Sequence, residues 1–389
     1  DLNITNIPNR LSMDIRHLIT LLSMNMLLIT SVHGSDNTGK TLKEVYSGKF
    51  LIGTANDLNH LSPAELSGVK MQYNIVTPEN CMKPQPVHPT ENTYNFETAD
   101  ALVNWCTQNG LKVWGHTLVW HSQTAPWFFQ FENPEMSPAG NDSVLYNNRN
   151  DSIKNREIVL QRLEKHIKTV VGRYRGTVIG WDVVNESIGD GGNGSTGNLR
   201  NYSWYKIVGP EVIALAFRWA HEADPKAQLY YNDYNIEQGA VENKGKHASS
   251  LLLLKRLLAE KVPITGVGIQ GHWDLNVNLA DVEKAIENYA SLGLRVSITE
   301  LDVTSIGENS GILQVQQGIK SQPKNYEKQA EVYRKLFEIF KRHADVIDRV
   351  TFWGISDFRS WRRGQDALLF DEQMNPKPAF HAIIEAGLH

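Results

Sequence analysis

The sequence predicts an α/β fold, a (β/α)8 TIM barrel formed by a single domain. Two observations support this. Short apolar or β-branched runs alternate with segments of helical spacing, and eight such runs follow one another from Phe50 onward. This alternation is typical of a parallel sheet wrapped by helices, and eight strand–helix units close into a barrel. At 389 residues the length alone would suggest two domains, but barrels of this kind reach such sizes as one unit.

Each predicted strand is a run of four to eight residues that suits a buried strand. In chain order the predicted strands are Phe50–Ala55, Tyr73–Thr77, Val113–Val119, Val178–Val184, Gln228–Asn232, Gly266–Gln270, Val296–Leu301 and Arg349–Ile355.

Apolar residues recur at helical spacing between these runs, which indicates helices packed on the barrel. The clearest stripes are Leu163, Ile167, Val170 and Val171, then Val282, Ile286 and Tyr289, and finally Tyr326, Ala330, Tyr333, Phe337 and Phe340. Two loops are enlarged, at 132–150 and 187–203, and both follow strand ends, so we expect them on the catalytic face.

The charge and the aromatic content limit the kinds of molecule that the protein is expected to bind. A net charge of -4 with both signs interspersed leaves no basic stripe for nucleic acid and no polybasic patch for a membrane. Ten Trp and thirteen Tyr are many for this length, and flat amphipathic rings suit the C–H faces of sugars. We therefore expect a substrate that is neutral or charged only at its branches. A monomer is expected as well.

The N-terminal region is expected to be separate from the barrel. Residues 1–12 are predicted to be upstream sequence without fold information, and residues 13–34 to be a secretory signal peptide cut after Gly34, because a basic start precedes an apolar run and small residues. The alternative is a buried or amphipathic N-terminal helix. A signal peptide would make the protein secreted, extracellular or periplasmic, with the barrel domain at 35–389. Cys81 and Cys106 permit one disulfide, although two buried free thiols are favoured.

Two segments bear the strongest chemical signal, Trp181–Glu186 and Ser297–Asp302. Each is an apolar run that ends in a carboxylate, which predicts a buried strand that delivers Glu186 or Glu300 to its C-terminal lip. Cleavage of a sugar acetal needs two carboxyl groups, one to protonate the leaving oxygen and one to meet the cation-like carbon. Glycoside hydrolysis is therefore the first hypothesis.

Other polar residues cluster at the ends of the predicted strands and suggest roles around this pair. Glu300 and Asp302 are two apart on a strand, so their side chains share a face. Asp302 could hold His272, whose second ring nitrogen could donate to Glu300 and keep it ionised. Asn185 can bind a sugar hydroxyl next to the reacting carbon. The full set of such residues is Asn56, Asp57, Glu79, Asn80, Lys83, His116, Trp120, Asn185, Glu186, Asn232, Tyr234, Gln270, His272, Glu300, Asp302, Trp353 and Trp361, the two tryptophans forming an expected stacking wall.

At these residues the chain resembles glycoside hydrolase family 10, the endo-β-1,4-xylanases. The matching segments are Glu79–Lys83, Gly115–His121, Trp181–Glu186, Tyr231–Asn235, Gly268–His272, Ile298–Asp302 and Phe352–Asp357, within a barrel that runs from Phe50 to Ala386. One departure is Pro84, where the family pattern usually has Trp. The two enlarged loops are a second departure, because they have no firm counterpart in the family pattern.

The resemblance implies a retaining endo-β-1,4-xylanase that needs no cofactor or metal and acts on xylan and xylo-oligosaccharides. It implies Glu186 as general acid/base and Glu300 as nucleophile. The sugar contacts that it implies, mainly on the non-reducing side of the cut, are Glu79, Asn80, Lys83, His116, Trp120, Gln270, His272, Trp353 and Trp361. We add Asn185 and Tyr234 as substrate contacts and Asn232 and Asp302 as supporting residues.

Three alternatives stay open at this stage. The first is a different barrel enzyme, a phosphate-sugar isomerase or a metal hydrolase that uses His116, His121 and His272. The second is a xylan-binding barrel without catalysis, against which the presence of both carboxylates argues. The third is another retaining β-glycanase, specific for cellulose or β-1,3-xylan, because the same two-carboxylate chemistry serves several sugars.

Overall fold

Eight parallel strands form a closed barrel in the computed structural model, which describes residues 39–131, 149–190, 198–306 and 324–389. Neighbours in the chain are neighbours in the barrel, and the first strand closes the ring by pairing with the last. The predicted fold is thus confirmed. The strands are β1 (Leu51–Ala55), β2 (Ile75–Thr77), β3 (Lys112–Val119), β4 (Val178–Asn185), β5 (Gln228–Asp233), β6 (Gly266–Ile269), β8 (Arg295–Val303) and β9 (Ile347–Phe352). An additional two-residue strand, β7 (His272–Trp273), pairs only with the carboxyl end of β8 among the described strands.

Helices surround this barrel. The helices among the described residues are α1 (Leu42–Val45), α2 (Pro63–Gln72), α3 (Pro84–Val87), α4 (Glu97–Gln108), α5 (Arg149–Arg173), α6 (Ser203–Val208), α7 (Glu211–Ala223), α8 (Gly245–Ala259), α9 (Leu279–Ala290), α10 (Tyr326–Arg342) and α11 (Pro378–Leu388), with 3-10 turns at Leu58–His60 and Pro126–Phe129. Of the helices described here, none is long and apolar enough to cross a bilayer.

Every observed strand differs from the predicted one by at least one residue, and three of them differ by two residues or more at an end. The second strand begins at Ile75 rather than Tyr73, because α2 runs to Gln72. The seventh barrel strand continues past Glu300 to Val303, since β7 extends its pairing. The last strand ends at Phe352, one residue before Trp353. Glu300 therefore lies inside a strand rather than at its end, whereas Glu186 directly follows β4 as predicted.

The predicted apolar stripes face the core, with one exception. Leu163, Ile167, Val170 and Val171 of α5 are fully buried, as are Val282, Ile286 and Tyr289 of α9 and Tyr333, Phe337 and Phe340 of α10. Tyr326 and Ala330 are only half-buried, so the buried stripe of α10 starts one turn or more later than predicted. This packing fixes the helices against the strands that bear the polar residues.

Close packing of rings inside the barrel depends on glycine in the neighbouring strands. A Cβ on Gly180 would lie 2.4 Å from the Trp114 ring, and one on Gly115 would lie 2.1 Å from the Trp181 ring. The Trp114 ring packs edge-on against Tyr230, with centroids 4.8 Å apart. The barrel interior is therefore a packed core, and the open site is confined to the rim.

Several predictions fall wholly or partly outside the described residues. These are the upstream segment, the signal peptide, most of the loop at 132–150 and residues 191–197 of the second loop. The described ends of that second loop pair with each other through an antiparallel bridge between Ile188 and Leu199. Cys81 and Cys106 are both buried and free, as favoured from the sequence.

Candidate active site

A cleft of about 710 Å³ opens at the carboxyl ends of the barrel strands. All of the residues predicted as catalytic or as substrate contacts line it: Glu79, Asn80, Lys83, His116, Trp120, Asn185, Glu186, Tyr234, Gln270, His272, Glu300, Trp353 and Trp361. The two supporting residues, Asn232 and Asp302, are fully buried beneath it. The carboxyl ends of parallel strands meet at one rim, which is why residues far apart in sequence converge here.

The predicted orienting triad is present. His272 Nε2 lies 3.0 Å from Glu300 Oε2, and His272 Nδ1 lies 2.9 Å from Asp302 Oδ2. Burial lowers the pKa of His272, but the two carboxylates outweigh it and raise that pKa to about 9. The imidazolium thus donates to both carboxylates at neutral pH.

Glu300 is nearly inaccessible to solvent, with 6% of its side chain exposed. Burial alone would raise its pKa, yet the hydrogen bond from His272 and the positive charges nearby leave the pKa of Glu300 below its usual value. Asn232 Nδ2 donates to Glu300 Oε1 at 2.8 Å and to Asn185 Oδ1 at 2.8 Å. Glu300 is therefore kept as an anion with both oxygens fixed, which suits a nucleophile.

Glu186 has different surroundings. Trp120 Nε1 donates to Glu186 Oε2 at 2.8 Å, and Gln270 Nε2 donates to Glu186 Oε1 at 2.9 Å. His121 Nδ1 is 3.9 Å from Glu186 Oε2, and burial lowers the pKa of His121 to about 4, so this ring is neutral. The carboxyl group of Glu186 thus faces neutral donors and remains 13% exposed. Neither side chain that donates to the Glu186 carboxyl group is charged, unlike His272 at Glu300, and the group stays open to the cleft, where a proton donor and acceptor must lie.

The backbone of Glu186 is in the left-handed region, with a φ of 55°. This conformation costs a residue with a Cβ roughly 1–2 kcal/mol. The amide N of Glu186 donates to Asn232 O at 2.9 Å, and Ser187 N donates to the Tyr231 hydroxyl at 3.1 Å. The turn after β4 is therefore anchored to β5, and it points the Glu186 side chain into the cleft.

The chain segment that follows β2 lines the cleft with the carboxyl group of Glu79 and the ammonium group of Lys83. Lys83 Nζ donates to Asn80 Oδ1 at 2.9 Å and to Gln123 Oε1 at 2.8 Å, and it lies 5.0 Å from the Trp120 ring centre. Burial, with a contribution from Asp57, raises the pKa of Glu79 to about 7. This part of the lining is dense in donors and acceptors for sugar hydroxyls.

Aromatic rings and a buried His–Asp pair complete the walls. Trp361 Nε1 donates to Asp302 Oδ2 at 2.9 Å, so this ring is oriented by the same carboxylate that holds His272. His116 packs edge-on against Trp353, with centroids 5.2 Å apart, and its Nδ1 lies 2.9 Å from Asp182 Oδ2. The two predicted tryptophans thus lie against two histidines of the site.

Tyr234 lines the cleft after β5. Its hydroxyl donates to Asp190 and accepts from Arg200 Nη2 at 2.9 Å. The Lys246 ammonium lies 3.4 Å from the centre of the Tyr234 ring. These contacts fix the ring as part of the cleft wall.

The cleft includes six residues that the sequence reasoning missed: Gln123, Asn235, Gln238, Trp273, Asp274 and Arg362. Asn235, Trp273 and Arg362 directly follow residues that were predicted as contacts, and Gln123 follows Trp120 by three residues. Adjacency to predicted residues was therefore a usable signal for these four. Arg362 matters because its Nε lies 3.2 Å from Asp302 Oδ1, and it contributes to the lowered pKa of Asp302, which burial alone would raise.

Comparison with known proteins agrees with this geometry. The model of glycosyl hydrolase family 10 matches residues 41–386. The chain belongs to glycosyl hydrolase family 10. Among its family 10 relatives, a β-1,4-xylanase of Dictyoglomus thermophilum is 39% identical over 355 residues, covering 89% of this chain and 90% of that protein.

Solved family 10 structures share the fold. The intracellular xylanase of Thermoanaerobacterium saccharolyticum matches with a TM-score of 0.75 and 38% identity, over 90% of this chain and 99% of that one. Another structure of that xylanase, with xylotriose, has a TM-score of 0.74. Other family 10 relatives are longer: the chain spans 27% of endo-1,4-beta-xylanase A from T. saccharolyticum and 29% of exoglucanase XynX from Acetivibrio thermocellus.

Proposed function

We propose that this protein is a retaining endo-β-1,4-xylanase that hydrolyses internal bonds of xylan and xylo-oligosaccharides. The observation that carries the proposal is the contrast between two carboxyl groups in one cleft. Glu300 is fixed and ionised by His272 and Asn232, whereas Glu186 is held by the neutral donors of Trp120 and Gln270. A nucleophile and a proton donor need these two environments.

The proposed reaction has two displacements. In the first, a Glu300 oxygen bonds to the anomeric carbon while the bond from that carbon to the leaving oxygen breaks, and Glu186 gives its proton to that oxygen. In the second, Glu186 takes a proton from water as the water oxygen attacks the same carbon, and the bond to Glu300 breaks. Glu186 regains its proton and Glu300 its charge, so the cycle closes.

We propose the direction of the xylan chain in the cleft from the family 10 relationship. Glu79, Asn80 and Lys83 follow β2, and we propose that they bind the sugar on the non-reducing side of the cut. Tyr234 follows β5 across the barrel and would contact the departing sugar. Support comes from the family 10 relationship and from the xylotriose complex of the related xylanase.

The test is the release of reducing sugar from xylan and from cellulose, with product lengths resolved. We expect release from xylan, with a mixture of short oligomers at early times because internal bonds are cut. Cellulose is included because one relative is named an exoglucanase. Activity on cellulose alone, or only one product length from the start, would contradict the proposal. Hydrolysis of xylan excludes the binding-only alternative, and activity that survives exhaustive EDTA excludes the metal hydrolase.

We further propose that the protein is exported and that the segment from Met13 to Gly34 is removed. The basic start, apolar centre and small residues before Ser35 support this proposal. N-terminal sequencing of protein recovered from the medium or the periplasm should begin near Ser35. Recovery of a chain that starts at Met13, or retention in the cytoplasm, would contradict it.

A further inference from the structure

Arg200 contacts the backbone of Glu186 from behind the cleft. Its Nε donates to the Glu186 carbonyl oxygen at 2.9 Å, and its Nη2 lies 3.3 Å from the Ile188 carbonyl oxygen. Arg200 is not among the described residues that line the cleft. Arg200 therefore has no place among the expected substrate contacts, and its effect on the reaction is sought in the residues that it contacts.

The backbone at Glu186 needs such support. Its φ of 55° lies in a region that residues with a Cβ seldom adopt, and a conformation of this kind persists only where neighbours hold it. Asn232 O accepts from the Glu186 amide at 2.9 Å, which fixes the N-terminal side of the residue. Arg200 fixes the carbonyl on the other side. Together these contacts set the direction in which the Glu186 side chain leaves the backbone.

The same guanidinium also contacts a residue that lines the cleft. Arg200 Nη2 donates to the Tyr234 hydroxyl at 2.9 Å, and both residues contact Asp190, the ion pair with Arg200 measuring 3.3 Å. Tyr234 lies where the departing sugar would bind. One side chain thus links the backbone of Glu186 to the surface that would hold the leaving group.

We infer that Arg200 is a positioning residue that aims the Glu186 carboxyl group at the leaving oxygen and keeps Tyr234 in register with it. The inference rests on the proposed function, in which Glu186 supplies the proton. Proton transfer is efficient only within hydrogen-bond reach of the accepting atom, so loss of this alignment should slow the steps that need the proton and spare those that do not.

The test compares leaving groups in an Arg200→Met variant, which removes the guanidinium and keeps an unbranched apolar side chain. The readout is kcat/KM on aryl β-xylobiosides, which reports the first displacement. For phenyl xylobioside and for xylan, whose leaving groups need a proton, we expect a fall of about 10-fold or more. For dinitrophenyl xylobioside, whose phenolate leaves unaided, we expect a fall of less than about 3-fold. Arg200→Lys, which keeps one donor, should lie between.

Arg156 provides a matched control. Its Nε donates to the Val208 carbonyl oxygen at 3.2 Å and its Nη2 to Glu211 at 2.6 Å, a carbonyl-plus-carboxylate pattern like that of Arg200 but at the surface. Arg156→Met should leave the dependence on leaving group unchanged. An equal fall of Arg200→Met on all leaving groups, or no fall at all, would overturn the inference. Wild-type protein without activity on xylan or xylobiosides would instead refute the proposed function, which separates the two failures.

Discussion

At the scale of single residues, different surroundings give the two glutamate side chains Glu186 and Glu300 different roles. Glu300 contacts an imidazolium and an amide N–H and is almost sealed from water, so its charged form is favoured. Glu186 contacts two neutral donors and is more exposed. This contrast predicts that the two carboxyl groups will respond differently to removal.

Replacement of Glu186 by Ala should separate substrates by their leaving groups. Cleavage of xylan should fall by about 10²–10⁴-fold, because the sugar alkoxide needs a proton, whereas the first step on an activated aryl xylobioside should fall much less. Azide should raise turnover of the aryl substrate, since a small anion needs no deprotonation and can enter the vacated space. The measurement is the ratio of xylan to aryl-glycoside activity, with and without azide.

Replacement of Glu300 by Ala is the counterpart, and it should abolish the retaining reaction on both substrates because no covalent intermediate can form. Glu211→Ala removes an exposed carboxylate that pairs with Arg156, and it serves as a control. It should not alter the ratio of xylan to aryl-glycoside activity, either with or without azide. Equal loss on both substrates for Glu186→Ala, without an azide effect, would show that Glu186 is not the acid/base residue.

Asp302 should affect turnover through His272. Asp302→Asn removes an anion that helps to raise the pKa of His272 to about 9, so that pKa should fall towards its ordinary value near 6.5. Near neutral pH the imidazole would then lose its proton and part of its bond to Glu300. We expect turnover to fall by the equivalent of about 1.5–3 kcal/mol with the fold retained.

Two measurements check this prediction: kcat, and the pH titration of the His272 ring followed by NMR. Asp224→Asn is the matched control. Asp224 is also buried, but it accepts hydrogen bonds from backbone amides such as Gly176 N. It is remote from His272 in the chain and is not among the residues that line the cleft. Unchanged turnover and an unchanged His272 titration in Asp302→Asn, with normal melting, would remove Asp302 from the mechanism.

At the scale of secondary structure elements, the sequence predicts what depends on one strand or helix and misses what depends on several. The relation between Glu300 and Asp302 was predictable because alternate residues of a strand share a face. The eight strands were predictable from their apolar runs. The end of β8 was not, because its extension depends on β7, a two-residue pairing without a sequence signal of its own.

Contacts across the barrel were equally hidden from the sequence. Asp182 lies 2.9 Å from His116 Nδ1, and it also accepts from Trp114 Nε1 at 2.9 Å and lies 3.5 Å from the buried Arg349. These residues come from β3, β4 and β9, and nothing in their local patterns relates them. His116 was predicted as a sugar contact, but the carboxylate that orients it could be identified only from the closed barrel.

A pair of buried histidines links the turn after α3 to helix α5 and should make stability depend on acidity. His88 Nδ1 lies 3.1 Å from His166 Nδ1, and both side chains are almost fully buried. Burial lowers the pKa of His88 to about 4 and that of His166 to about 3. Both are therefore neutral in the folded protein at a pH where the unfolded chain already binds protons.

The sign of the effect follows from these directions. Each folded pKa is below the unfolded value of about 6.5, so the contribution of the pair is full above that pH and is lost as pH falls towards 4 and then 3. In that window each imidazole that must stay neutral costs about 1.4 kcal/mol of unfolding free energy per pH unit. The free energy of unfolding, measured with urea at pH 7 and at pH 5, should fall less between these two pH values for His166→Gln than for wild type. His221→Gln, at an exposed site of α7, should match wild type; an identical loss in all three proteins would contradict the prediction.

At the scale of the whole molecule, the barrel places carboxyl groups beside cations, and burial of either kind of charge alone would be unfavourable. The cleft and the layer beneath it hold the carboxyl groups of Glu79, Glu186, Glu300 and Asp302 together with the cations of Lys83, His272 and Arg362. These residues come from five different strand ends, so no single element could assemble them. Because Glu79 has a pKa raised to about 7, one of the four carboxyl groups is partly protonated at neutral pH, which reduces repulsion within the cleft.

The closed barrel also brings the two reacting carboxyl groups into one cleft, and their separation decides the stereochemistry of the reaction. Glu186 follows β4 and Glu300 lies in β8, three strands away around the ring, and both side chains enter the same cleft. We predict a carboxyl separation of about 5–5.5 Å, which leaves no room for a water molecule between the sugar and the nucleophile, and therefore retention at the anomeric carbon. An NMR time course with a β-linked xylo-oligosaccharide should show the β-anomer of the product first, with the α-anomer following by mutarotation. If the α-anomer formed first, the reaction would be an inversion, and Glu300 would be a base that activates water rather than a nucleophile.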